Sequence, residues 1–189
     1  MQLSKSKTLI NLAKSFAGES QAGLRYQMIA EKCLNSGYKV LSDEIKRLAK
    51  NEVNHAKVFF NFIMDEGEFD NIEFTAGYPF MGKDIETGLK NAVKSEQDES
   101  LIYDEFARIA ITEGFDDIAK KYKLIASVER QHAKEFAYLL NGYKNDVLYN
   151  FTKPTMWRCS ECGYIETSSK GWDVCPLCSS TQGFIEIKL

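Results

Sequence analysis

The chain has 189 residues, 44% of them hydrophobic and 27% charged, with a formal net charge of -3. That balance describes a folded protein rather than a disordered one, and it leaves no basic footprint for nucleic acid or for an anionic membrane surface. No stretch approaches the roughly 20 apolar residues of a membrane helix, so neither a membrane nor a nucleic acid is expected as a partner.

The N-terminal run up to Phe16 is amphipathic and lacks the apolar block of a signal peptide, so a cytoplasmic location is expected. Four helices follow from the apolar periodicity and its breakers. The first runs from about Ser6 to Asn35 and stops before Gly37, and the second from about Lys39 to Asp65, before Gly67. The third runs from about Asp84 to Glu113 and stops at Gly114; the fourth runs from the N-cap Asp116 to Asn141 and stops at Gly142. Short loops make helices one and two, and three and four, antiparallel neighbours. The connection from about Gly67 to Lys83 is long and holds Gly77, Pro79 and Gly82. One long crossover between two helical hairpins is the layout of all-α ferritin-like four-helix bundles. Residues 1–145 are therefore expected to form the bundle, 146–153 a linker ending before Pro154, and 154–189 a small cysteine-rich domain.

Inward positions recur at steps of three and four. On helix one they include Leu9, Leu12, Phe16, Glu19, Tyr26 and Cys33, and each of the other helices gives a similar stripe, apolar at both ends and acidic near its middle. The interruptions are Glu19, Glu52, His55, Glu96, Glu99, Glu129 and His132. The chain has two histidines, and each follows a stripe glutamate by three residues. A single glutamate in an apolar stripe is ordinarily a partly solvated edge. Seven interruptions at matched depth on four helices are not. An ionised carboxylate buried alone costs several kcal/mol or more, and no Lys or Arg falls on the stripes at this level. Metal cations are the remaining compensation. Carboxylate mixed with imidazole suits iron or manganese, and two Glu-x-x-His pairs with one further Glu from each remaining helix is the di-iron bundle pattern. The chain offers one Glu more than that pattern needs, because Glu96 and Glu99 share a stripe.

Four of the five cysteines, Cys159, Cys162, Cys175 and Cys178, form two C-x-x-C knuckles near the C-terminus, while Cys33 stands alone as a small buried hydrophobe. Such a cluster in a reducing compartment reads as a closed, all-thiolate metal site. Spacing alone favours structural zinc. Two features move the reading to iron. The knuckles read C-x-x-C-G-Y and C-P-x-C, which resemble rubredoxin, and the module accompanies a redox-capable site that needs an electron donor.

Over essentially its whole length the chain resembles rubrerythrin. Glu19, Glu52-x-x-His55, Glu96-x-x-Glu99, Glu129-x-x-His132 and the four cysteines carry the resemblance. It implies a peroxidase of anaerobic or microaerophilic prokaryotes that reduces hydrogen peroxide to water in oxidative-stress defence. It implies electrons from NADH, through a reductase and often a separate rubredoxin, to the four-cysteine iron and on to the di-iron pair. It further implies a homodimer in which one subunit's four-cysteine iron serves the other's di-iron site. Glu52 and Glu129 would bridge the metals, with Glu19, Glu96, Glu99, His55 and His132 terminal, and one iron would sit among the cysteines, where zinc can replace it in recombinant material. Tyr26 and Tyr103, on the same stripes, are candidates for a hydrogen bond to peroxide or to a ligand carboxylate, or else core aromatics. Two alternatives stay open: a ferroxidase or ferritin-like iron store, and a non-enzymatic electron carrier or zinc-stabilised scaffold.

Overall fold

The computed structural model describes residues 2–65, 67, 69, 71–145 and 147–187. Helix α1 (Lys7–Asn35) starts behind Ser6, whose hydroxyl accepts from the Leu9 N–H. It ends where Gly37 takes a φ of +82° and the Tyr38 N–H reaches back to the Cys33 carbonyl at 2.9 Å. A side chain in that left-handed conformation would cost about 1–2 kcal/mol, so glycine lets α2 (Lys39–Asp65) begin at once. Helix α3 (Ile85–Glu113) is capped by Asp84, which accepts from the Thr87 N–H, and it stops at left-handed Gly114. Helix α4 spans Asp116–Asn145.

Helix α1 packs along α2, and α3 along α4; α1 also lies against α3. The bundle interior is two apolar clusters rather than one. Leu12, Phe59, Ile63, Tyr103 and Tyr122 belong to the first. Tyr26, Ile45, Leu48, Leu89 and Phe136 belong to the second. Glu19, Glu52, Glu96, Glu129 and His132 are all buried in the same bundle. Among the described residues no helix is long and apolar enough to cross a membrane.

Two local expectations are corrected. Helix α4 does not stop before Gly142 but continues through it to Asn145. Gly142 is a packing residue: a Cβ there would stand 2.3 Å from Leu148 Cδ2, so its missing side chain makes room for the chain leaving the helix. Phe16, placed on the inner stripe, is 38% exposed and packs on Phe60 at the surface with ring centroids 5.4 Å apart.

The C-terminal unit is a three-stranded antiparallel sheet in the order β2-β1-β3, with β1 at Asn150–Cys159, β2 at Ile165–Lys170 and β3 at Ile185–Ile187. Strand β1 thus begins inside the segment 146–153, with Asn150 opposite Lys170; Asp146 lies outside the described residues. Pro154 falls within the register shift between Asn150 and Thr155, where its missing N–H removes no ladder bond. The core of this unit is small: Tyr149, Trp157 and Ile185, with Leu148, Phe151 and Trp172 against them. So small a core leaves much of the folding free energy to a bound metal. The unit rests on the α1–α2 turn, where Gly183 approaches so closely that a Cβ would stand 1.5 Å from the Gly37 carbonyl oxygen.

Candidate metal centres

Each helix contributes to the acidic layer from its middle. Glu19 comes from α1, Glu52 and His55 from α2, Glu96 and Glu99 from α3, and Glu129 and His132 from α4. The Glu-x-x-His spacing sets carboxylate and imidazole one turn apart on one helix face. Both histidines turn Nδ1 inward. His55 Nδ1 stands 2.9 Å from Glu129 Oε1, 3.2 Å from Glu52 Oε2 and 3.7 Å from Glu19 Oε2. His132 Nδ1 stands 2.9 Å from Glu52 Oε1, 3.0 Å from Glu129 Oε2 and 3.7 Å from Glu96 Oε2. Glu52 and Glu129 therefore present one oxygen to each histidine. The result is two overlapping groups, Glu19, Glu52, His55, Glu129 and Glu52, Glu96, Glu129, His132, each with one ligand atom per residue within 4.8 Å of the others.

Apart from the hydrogen bond between His55 Nδ1 and Glu52 Oε2, these atoms converge at ion-pair distances without well-formed hydrogen bonds. Glu19 Oε2, Glu52 Oε1, Glu96 Oε2, both Glu129 oxygens and His132 Nδ1 are enclosed and make no hydrogen bond. Buried carboxylates crowded in this way, with two imidazoles alone to balance them, leave like charges facing one another at a cost. Cations among these oxygens and nitrogens remove that cost, and the donor set is the one iron takes.

The oxygens that face away from the cluster are held by two tyrosines. Tyr103, on α3, donates to Glu19 Oε1 at 2.6 Å, and Tyr26, on α1, donates to Glu96 Oε1. Burial, and then the charges of Glu96 and Glu19 respectively, raise both phenols well above the usual tyrosine range, so they remain donors. At His132 the Asn51 amide lies 3.2 Å from the outer nitrogen Nε2. Burial raises the Glu19 and Glu96 carboxyls well above the usual range against the opposing pull of His55 and His132. Burial also pushes Glu52 up, but the His132 and His55 imidazoles beside it outweigh this and hold it at about 2. Burial pushes both imidazoles down, yet the surrounding carboxylates outweigh it and raise them to about 12.

Glu99 stands apart from the six. It belongs to neither four-residue group, and its carboxylate lines a cavity of about 430 Å³ between α1 and α3, with Oε2 enclosed and unpartnered. Burial, then the charges of Glu129 and Glu52, push its carboxyl up to about 8.

In the sheet unit the four thiols are free and gathered in one group. Cys159 Sγ lies 3.7 Å from Cys178 Sγ, and Cys162 Sγ lies 3.7 Å from Cys175 Sγ. A tetrahedral metal with bonds of ~2.3 Å has sulfur–sulfur edges of about 3.75 Å, so the spacing fits a metal and is far too long for a disulfide. The knuckles are formed by backbone turns: the Gly163 N–H reaches the Cys159 carbonyl at 2.9 Å and the Ser179 N–H reaches the Cys175 carbonyl at 3.0 Å. Hydrogen bonds from Ser180 lower the Cys178 thiol to about 6, which favours a thiolate ligand.

Fold and sites together define a ferritin-like di-iron carboxylate bundle joined to a rubredoxin-like four-cysteine unit. Comparison with known proteins makes this particular. The rubrerythrin family profile matches residues 11–86 and 88–161. Rubrerythrin-1 of Clostridium acetobutylicum is 36% identical over 187 residues, covering 98% of this chain and 96% of the relative. Rubrerythrin of Clostridium perfringens is 34% identical over the same share of each chain. The chain belongs to the rubrerythrin family, and so to the di-iron proteins of oxidative-stress defence, with a two-iron carboxylate site and a four-cysteine iron as cofactors. Solved structures agree on the fold. Fully reduced nigerythrin gives a TM-score of 0.65 at 21% identity, covering 99% of this chain and 92% of that one. A Desulfovibrio desulfuricans bacterioferritin gives 0.66 at 21% identity, covering 74% and 81%.

The sequence pattern thus brings six of its seven acidic-layer residues into one cluster and all four knuckle cysteines into another. It missed Asn51 at His132 and the residues that roof the Glu99 cavity. One overlooked signal was available: Glu19 to Tyr26 and Glu96 to Tyr103 are both seven residues apart, two turns on one face, so a glutamate–tyrosine pair repeats on the two helices.

Proposed function

We propose that the protein is a cytoplasmic hydrogen peroxide reductase of an anaerobe, converting one peroxide, two electrons and two protons to two waters. One observation carries the reading: the two four-residue ligand groups share Glu52 and Glu129, which is what a pair of bridged metals requires. Glu19 and His55 would complete one metal's ligands, and Glu96 and His132 the other's. Iron, when bound, supplies the electrons and a Lewis acid at this point. The chain does the rest. Tyr103 and Tyr26 fix the rotation of Glu19 and Glu96 so that Oε2 of each faces the cluster. Glu99, on the cavity side and pushed up to about 8 by burial and then by the Glu129 and Glu52 charges in the metal-free bundle, would offer a proton there, and turned inward it would be a reserve ligand. Cys159, Cys162, Cys175 and Cys178 would hold a single iron as the electron inlet. It is fed from NADH by rubredoxin, by an NADH-dependent rubredoxin reductase, or by both. A homodimer would let one subunit's inlet serve the partner's bundle.

The test is iron and zinc content together with the optical spectrum of anaerobically reduced protein before and after hydrogen peroxide. Three irons per chain and prompt oxidation by peroxide are expected. Zinc in the bundle, or a reduced spectrum that peroxide leaves unchanged, overturns the reading. The bundle's likeness to bacterioferritin favours a ferroxidase as the second reading. Particle mass separates a storage cage from a dimer.

A further inference from the structure

The Glu99 cavity adjoins the acidic layer from the side of α1, α3 and the crossover. Its floor includes Glu99 and Tyr103, and Tyr103 is hydrogen-bonded to Glu19. Along its α3 wall stand Asn91, Ser95 and Glu99, one turn apart, a polar ladder about 12 Å long. Two ends of that ladder are unsatisfied: Asn91 Nδ2 is an enclosed donor without an acceptor, and Glu99 Oε2 an enclosed oxygen without a donor. Amide, hydroxyl and carboxyl residues along one wall of a space that holds on the order of ten water-sized molecules suit a small polar solute.

The roof is the crossover. Residues 76–79 and 81 line the cavity and carry no helix or strand. Tyr78 is the part that matters. Its ring lies over Gly18 of α1, where a Cβ would meet Tyr78 Cε1 at 3.9 Å, so the absence of a side chain at position 18 leaves the gap that the tyrosine covers. The ring is half-buried and held at its tip by a long hydrogen bond of 3.5 Å from its hydroxyl to the Lys14 carbonyl. At that length the bond is weak. A large ring tethered this loosely on an irregular segment excludes bulky molecules while leaving room for small ones.

We propose that this cavity is the route by which peroxide reaches the di-iron pair, and that Tyr78 sets its size limit, admitting hydrogen peroxide and rejecting alkyl hydroperoxides. The proposal deepens the peroxidase reading and rests on it for the identity of the substrate. The route itself is testable without turnover. Azide is a small anion whose association with the diferric protein is followed by absorption in a stopped-flow instrument. Tyr78→Ala, with its iron content checked, should speed azide association severalfold. It should also raise the ratio of kcat/KM for cumene hydroperoxide to that for hydrogen peroxide by about tenfold. Tyr78→Trp, which enlarges the roof, should slow azide, and Tyr78→Phe should match the parent, since the ring and not the hydroxyl does the excluding. Azide rates unchanged in both Ala and Trp variants overturn the route. A parent protein that already takes cumene hydroperoxide as readily as hydrogen peroxide overturns the size limit, and loss of iron in Tyr78→Ala overturns it too, by making the residue structural. A protein that reduces no peroxide at all while its azide rates follow Tyr78 would sink the peroxidase reading and leave the route standing.

Discussion

The Tyr103 hydroxyl donates to Glu19 Oε1 at 2.6 Å, crossing from α3 to α1, and the bond leaves Glu19 Oε2 aimed at His55. A hydrogen bond to a charged group is worth about 1.5–3 kcal/mol, and groups that orient metal ligands govern affinity by about 10–100-fold. Tyr103→Phe keeps the ring packing against Phe59 and Tyr122 but frees the carboxylate to turn. Iron should then leave the bundle about tenfold faster or more when challenged with a chelator. An unchanged loss rate would mean that the cluster geometry does not depend on this bond.

Glu99→Ala should keep two irons in the bundle, because Glu19, Glu52, His55, Glu96, Glu129 and His132 complete both ligand groups without it. Peroxide reduction should slow by about tenfold or more, through loss of the proton held on the cavity side and of the reserve ligand. Iron content and single-turnover oxidation of the reduced protein test this directly. A normal rate removes Glu99 from the chemistry, and loss of iron makes it a permanent ligand.

The protein stripped of metal should be more stable near pH 5 than near pH 8. Glu19 and Glu96 are raised by burial and Glu99 reaches about 8, so the folded chain keeps protons that the unfolded chain gives up above 4.5. The unfolded histidines lose theirs near 6.5, while His55 and His132 keep theirs up to about 12 because carboxylates surround them. Wherever the folded state binds more protons, stability falls as pH rises. Glu52, held at about 2, loses its contribution only in more acidic solution and does not reverse the trend. Thermal midpoints by circular dichroism in a chelating buffer at pH 5, 6.5 and 8 should decline in that order, whereas the metal-loaded protein should not follow. A flat or rising series would contradict this account.

Cys162→Ser should abolish NADH-linked turnover and leave the bundle folded. Its sulfur is one corner of the four-cysteine group, which lies in the sheet unit and not in either apolar cluster of the bundle. Far-ultraviolet circular dichroism should stay helical while donor-linked peroxide consumption falls to background. Full turnover with the same donor would deny the module its role as inlet.

What the chain's order of residues determined by itself was periodicity and chemistry. Helical geometry places Glu52 with His55, and Glu129 with His132, on one face whatever the rest of the fold does, and two C-x-x-C knuckles bring thiolates together over short loops. Burying so many acidic groups has few physical solutions, so the metal class followed from composition. Partnerships between helices were another matter. That Tyr103 serves Glu19 and Tyr26 serves Glu96 depends on how α1 and α3 are rotated and offset, which neither helix encodes alone. Gly142 was legible as a helix breaker, and only the approach of Leu148 showed that it is space for packing. Glu99 shares the stripe of Glu96, yet one further turn along α3 carries it past the cluster into the cavity under Tyr78. Contacts between elements distant in the chain are set by the balance of packing over the whole bundle, and that balance exists only in three dimensions.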